Sequence, residues 1–134
     1  MFVLRNFINI IENQEPTIVD HDGDGYFEFN GFGVHAEIGG NEIGTFTSMK
    51  SGQGNGRRAV AWLKNHFGEL VVDDPGFPFE NPDSFAFWKR MAEDGLVDRI
   101  DMRGTAIFHD GKWDLDWNNP EIVYLYGLGF PELR

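Results

Sequence analysis

The feature that most constrains this chain is a change of hydrophobic period at a glycine-rich turn. Through residues 26–49 apolar and polar residues alternate, as they must when successive side chains leave opposite faces of a strand. Tyr26-Phe27-Glu28-Phe29 is followed by Asn30-Gly31, a hairpin dipeptide. Residues 32–38 predict a second strand, Gly39-Gly40-Asn41 a second turn and residues 42–49 a third strand. Residues 57–67, RRAVAWLKNHF, then place Val60, Leu63 and Phe67 on one face beside Ala59 and Trp62, the spacing of an amphipathic helix. Between the two patterns lies Ser51-Gly52-Gln53-Gly54-Asn55-Gly56.

The rest of the chain extends this frame. Residues 2–13 carry apolar positions near helical spacing, and residues 17–25 read as an acidic, glycine-rich loop. Gly68 is a helix stop, and Leu70-Val71-Val72 predicts a strand buried on both faces. Residues 74–81 interleave prolines with aromatics as a rigid loop. A second helix begins at Asn81-Pro82, with Asn81 as cap and Pro82 at the first helical position, and stops at Gly95. Residues 97–102, 104–109 and 112–117 predict strands, the last two joined by Asp110-Gly111. Residues 118–134 are aromatic without a clear period. The expectation is one α+β domain over residues 1–134 with a mostly antiparallel mixed sheet flanked by helices.

Composition narrows the chemistry. With 134 residues, 41% of them hydrophobic and 15% aromatic, the chain can bury a real core. It contains no cysteine, which excludes disulfides, thiolate metal sites and thiol nucleophiles. Lys and Arg total 11 against 22 Asp and Glu, a formal charge of −11 that repels nucleic-acid backbone and anionic membrane and favours cationic partners. No apolar run reaches the length of a membrane span, and the expected location is the cytoplasm.

The glycine turn is the strongest functional signal. A strand-to-helix turn can aim several backbone N–H groups at an anion, and glycines let a phosphate approach. Arg57 and Arg58 then stand in the first helical turn, where cations oppose the helix dipole unless an anion lies over them. The plain alternative is a solvated loop with two surface arginines. A P-loop fails because no Gly-Lys-Ser/Thr follows. A dinucleotide fingerprint, Gly54-Asn55-Gly56-Arg57-Arg58-Ala59 with Asp73 after the next strand, fits locally, but the strand before it alternates and a whole meander precedes it.

The same residues resemble motif A of the GNAT acyltransferases, Gln/Arg-x-x-Gly-x-Gly/Ala at a strand-to-helix turn. Gly54 and Gly56 fall on its glycines, and Ser51 replaces its first residue. A second block of that family, an Asn after the next strand and a helix reading N-x-x-A-x-x-F-Y-x-x-x-G-F, is similar to Asn81, Ala86, Phe87-Trp88 and Gly95-Leu96 here. The resemblance spans residues 26–117 and implies a GNAT-like fold that uses acetyl-CoA as co-substrate to acetylate a primary amine. It implies that the turn, Gln53, Gly54, Asn55, Gly56, Arg57 and Arg58, holds the pyrophosphate. Residues 46–49, Phe46 and Ser48 among them, would present amides from a strand bulge to the thioester, with Asn81 and Trp88 also against the cofactor.

Acetyl transfer needs a base for the amine, a donor for the oxyanion and a proton for the thiolate. Glu42 and Glu37 are the candidate bases, with His35 a third. The family's acid, a Tyr, is replaced by Trp88, which leaves Ser84, Tyr124, Tyr126 or solvent. Each carboxylate is equally read as an outward strand residue. The implied acceptor is a cationic amine, such as a polyamine, an aminoglycoside-like amine or a basic protein segment. The competing reading is a non-catalytic acidic protein of this fold that binds a basic protein partner, a reading favoured by Ser51 and Trp88. Asp20-His21-Asp22-Gly23-Asp24-Gly25 opens like a calcium loop but has Gly31 where the bidentate Glu belongs, and reads as an acidic turn. The four histidines show no metal-ligand spacing. Asp114 and Asp116 share a strand face, and Trp113 and Trp117 are either core or a stacking platform.

Overall fold

A computed structural model of the chain describes residues 15–48, 54–76, 80–104 and 106–120. The expected helix over residues 2–13, together with Met49, Ser51, Gln53, Tyr124 and Tyr126, lies outside the described residues. The described elements make an α+β protein of eight strands and two helices. The chain divides into two compact units, Met1–His66 and Phe67–Arg134. No helix among the described residues is long and apolar enough to cross a membrane.

The first unit is an antiparallel meander of β1 (Thr17–Asp20), β2 (Tyr26–Gly31), β3 (Val34–Gly39) and β4 (Glu42–Ser48), followed by helix α1 (Asn55–Phe67). Residues 17–20 are a strand and not the expected loop. Their β-branched Thr17-Ile18-Val19 run pairs with residues 28–30, and the loop shrinks to residues 21–25. The first hairpin also turns two residues later than Asn30-Gly31. Phe32 (φ 56°) and Gly33 (φ 72°) form the turn, and Gly31 stays in the strand opposite Val34. Gly31 is needed for packing instead: a Cβ there would lie 2.8 Å from that of Pro16. The longer hairpin sets Phe29 beside Ala36 and Phe27 beside Ile38.

Phe29, Val34, Ala36, Ile38 and Ile43 form the buried face of this sheet. Helix α1 covers it with Ala59, Val60 and Leu63, all fully buried, and Trp62 sets its ring 5.3 Å from that of Phe29. Gly68, at φ 81°, ends the helix in the left-handed conformation that glycine enters at least cost. The register of β3 against β4 slips after Glu37, so that Gly44 is an extra residue on β4, a bulge.

The second unit holds β5 (Val71–Asp73), α2 (Pro82–Glu93), β6 (Arg99–Met102), β7 (Ala106–His109) and β8 (Lys112–Leu115). Strands β5 and β6 are parallel with α2 as the crossover, and β6, β7 and β8 run antiparallel. Within the two units this is the one parallel pair described, in line with a mostly antiparallel sheet. Helix α2 starts and stops where its sequence signals predict. Asn81 Oδ1 accepts from the Ser84 N–H at 3.2 Å, Pro82 follows, and Gly95 (φ 79°) closes the other end. Its buried side chains, Phe85, Trp88, Met91 and Ala92, recur at helical spacing, and Ile100, Met102 and Phe108 are the buried residues of β6 and β7. The turn at Asp110-Gly111 has both residues at positive φ, as a two-residue hairpin requires.

Candidate functional site

The strand-to-helix turn is built from β4 and α1. Gly54 has φ 75°, a conformation that side chains with a Cβ rarely enter, and among the described residues beyond its own chain neighbours no atom lies within 4 Å of where its Cβ would be. The Arg58 N–H reaches back to the Gly54 carbonyl at 3.1 Å, closing the first turn of the helix. That turn contains no acidic residue, and Arg57 and Arg58 are both exposed on it. Asn55 and Gly56 are half-buried, and the Asn55 side-chain nitrogen faces Gly33 of the hairpin turn. Charge at the far end of α1 follows the dipole, with Lys64 and His66 in the last turn.

Strand alternation sorts the remaining candidates of this unit onto two faces. Phe46 pairs with Ala36 and Ser48 with Val34, so their side chains leave on the face that α1 covers. Glu37 and Glu42 leave on the opposite, open face, since Glu42 pairs with Gly39 and Glu37 with Thr45. The bulge at Gly44 sits between Glu42 and Phe46, nearer the start of β4 than residues 46–49.

On the open face Glu37 and Glu28 stand directly opposite one another. Like charges so placed repel, and each has its own relief. Glu37 accepts a hydrogen bond from the Tyr26 hydroxyl at 2.9 Å. That bond, with burial and the carboxylate's charge behind it, raises the Tyr26 hydroxyl above its usual range. Glu28 bonds His21 Nε2 at 2.9 Å and accepts from Asn30 Nδ2 at 3.2 Å, and these bonds hold its carboxyl below the usual range. His35 joins through Asn30 Oδ1 at 3.0 Å. The sequence reading missed Tyr26, His21 and Glu28 as partners, because only the hairpin register brings them to these positions.

The acidic turn before β2 is closed by its own backbone. Asp20 accepts from the Gly23 and Gly25 N–H groups, one on each carboxylate oxygen, both at 2.8 Å, and Asp24 accepts from Tyr26 N–H. Among the described residues no group of three or more His, Cys, Asp or Glu could hold a metal ion.

In the second unit Asn81 and Ser84 lie beside the loop that follows β5, and Trp88 does not join them. Asn81 is spent as helix cap, and Gly76 lies so close that a Cβ there would be 3.2 Å from that of Asn81. The Ser84 hydroxyl donates to the Pro75 carbonyl at 2.9 Å. Trp88 is 5% exposed and belongs to the core of the unit. Beside them, unmarked in the sequence reading, Arg103 binds both oxygens of Glu80 through Nη2 at 2.8 Å and Asp74 through Nε at 3.0 Å. The bidentate bond to Glu80 and the second to Asp74 raise the guanidinium still further above its usual range. No family model, curated protein or solved structure matches this chain.

Proposed function

We propose that this protein is an acetyl-CoA-dependent N-acetyltransferase of GNAT-like fold, acting on a cationic primary amine. The observation that carries the reading is the first turn of α1, which follows a glycine at φ 75°, holds two exposed arginines and has no acidic residue. Such a turn is suited to the pyrophosphate of a coenzyme: helix amides and dipole favour the anion, and Arg57 and Arg58 pair with it. The bulge on β4 adds support, because a bulge turns backbone amides out of the ladder, where they can face a thioester carbonyl.

In this reading Glu37 is the base. Its hydrogen bond from Tyr26 fixes the carboxylate, and the raised hydroxyl keeps its proton at neutral pH. The ammonium of the acceptor gives a proton to the Glu37 carboxylate, and the free amine attacks the thioester carbon. The new C–N bond forms, the oxyanion is held by amides of β4, and collapse breaks the C–S bond. The second proton of the attacking nitrogen leaves as the amide forms and reaches the departing thiolate through water, since Ser84 is bonded to Pro75 and Trp88 is in the core. Those two placements also favour the second reading, a non-catalytic acidic protein that binds a basic partner.

Calorimetric titration with acetyl-CoA tests the proposal. Micromolar binding by the wild type, weakened about tenfold or more in Arg57→Glu/Arg58→Glu, and amine acetylation lost in Glu37→Gln are the expected results. No heat and no thermal shift with acetyl-CoA overturn it.

A further inference from the structure

We propose that Asn55 is a site of spontaneous deamidation, which turns the neutral start of α1 into an acidic one. The chain contains two Asn-Gly dipeptides, Asn30-Gly31 and Asn55-Gly56. Asparagine converts fastest before glycine, because a residue without Cβ leaves the next amide nitrogen open to the carboxamide.

The fold treats the two differently. Asn30 lies inside the ladder, opposite Thr17 on one side and His35 on the other. Its carboxamide is held at both ends, with Nδ2 donating to Glu28 at 3.2 Å and Oδ1 bonded to His35 Nδ1 at 3.0 Å. Asn55 is the first residue of α1, half-buried, and its side-chain nitrogen faces Gly33 of the hairpin turn. Among the described residues no hydrogen bond holds its carboxamide. The Gly56 N–H belongs to the first turn, whose N–H groups have no acceptor within the helix, and a helix end opens at little cost. Of the other described asparagines, Asn81 and Asn119 precede prolines, which have no N–H to give up, and the rest precede residues with side chains.

The Gly56 nitrogen attacks Cγ of Asn55, and the new C–N bond closes a succinimide ring. The Cγ–Nδ2 bond breaks, and the proton of the Gly56 N–H leaves with that nitrogen as ammonia. Water then opens the ring. Attack at Cγ restores the chain with an aspartate side chain, and attack at the main-chain carbonyl gives isoaspartate. The net reaction consumes one water and releases one ammonia. Either product sets a carboxylate beside Arg57 and Arg58, at the positive end of the helix dipole. That charge opposes a coenzyme phosphate at the same turn, a consequence that rests on the acetyl-CoA reading, whereas the modification itself does not.

The whole protein, incubated in mildly alkaline and in mildly acidic buffer, is followed by intact mass and tryptic mapping. The expected product is about one dalton heavier, accumulates faster in the alkaline sample and maps to Asn55, in the peptide between Lys50 and Arg57. Asn55→Gln, and Gly56→Ala at a helical position, should lose it under the same conditions. No gain at Asn55, or a faster gain at Asn30, overturns the proposal. In calorimetry Asn55→Asp should bind acetyl-CoA about five- to tenfold more weakly than wild type. Equal affinity of the two overturns the stated consequence. A wild type that does not bind at all sinks the acetyl-CoA reading instead, and the mass gain alone decides the site.

Discussion

Asn81 separates a structural role from a ligand-binding one, and the two make different predictions. Its side chain caps α2 through the Ser84 N–H, and its carbonyl accepts from Phe85 N–H at 3.0 Å. Asn81→Ala removes the first bond and keeps the second. Loss of an N-cap costs about 1 kcal/mol. At about 2 cal/mol/K of unfolding entropy per residue, that is a Tm lowered by about 3–4 °C for 134 residues, or about twice that if the second unit melts alone. Asn81→Asp keeps the acceptor and adds a charge favourable to the helix dipole, set against the nearby Asp83. It should melt within about 2 °C of wild type. Thermal unfolding by circular dichroism reads both variants. If Asn81→Ala melts with wild type, or Asn81→Asp falls as far as Asn81→Ala, the cap is not what Asn81 contributes. A drop in acetyl-CoA affinity with an unchanged Tm would assign the residue to the coenzyme instead.

Two further outcomes follow from the geometry. The Glu28 carboxyl titrates below the usual range because the folded state favours its ionised form, so its contribution is present above the ordinary pKa and is lost as pH falls through the lowered one. His21→Ala should move the carboxyl back toward the usual value in an NMR titration, and no movement would refute the assigned cause. Trp113 stacks on Phe85 and meets Phe108 edge-on, yet among the described residues its buried indole N–H has no hydrogen-bond partner. Trp113→Phe loses about 1 kcal/mol of apolar burial and relieves an unmet donor worth about 1–3 kcal/mol. Chemical denaturation should therefore show little loss or a small gain, and a loss above about 3 kcal/mol would contradict the orphaned donor.

What could be read from the sequence was whatever a local signal decides. Asn81, Pro82 and Gly95 bound α2 because capping and left-handed closure depend on residues a few positions apart. The hairpin at residues 30–33 misled because two reasons for glycine coincide there. Gly31 makes room for Pro16, whereas the turn falls on Phe32, a residue that rarely adopts positive φ. The diagonal hydrogen bond from Tyr26, which lies opposite Gly39, to Glu37 was out of reach for the same reason: a turn moved by two residues changes every cross-strand neighbour. Arg103, Glu80 and Asp74 come together only through the crossover that sets β5 beside β6. Trp88 needed no such information. It was read as a cofactor contact from its place in a motif, although its spacing from Phe85, Met91 and Ala92 is that of a buried helix face.

The two helix starts bear on where an anion would go. At α2 the first turn is closed to one: Asn81 occupies the Ser84 N–H, Pro82 has no N–H to offer, and Asp83 brings a negative charge. Just before it, the Arg103 guanidinium is neutralised by Glu80 and Asp74, two carboxylates on one cation. At α1 the same positions carry Gly54 at φ 75° for the capping Asn81, Asn55 for Pro82 and Gly56 for Asp83, with Arg57 and Arg58 next. Arginine costs a few tenths of a kcal/mol or more at such a position when nothing negative lies over it. In a chain with twice as many acidic as basic residues, 22 against 11, two of the few cations stand where helix energetics disfavours them. A phosphate group would be favoured by the arginines at α1 and opposed by Asp83 at α2. A coenzyme pyrophosphate should accordingly perturb amides of residues 54–58 and leave those of residues 82–84 unmoved, which an amide NMR titration with acetyl-CoA reads directly.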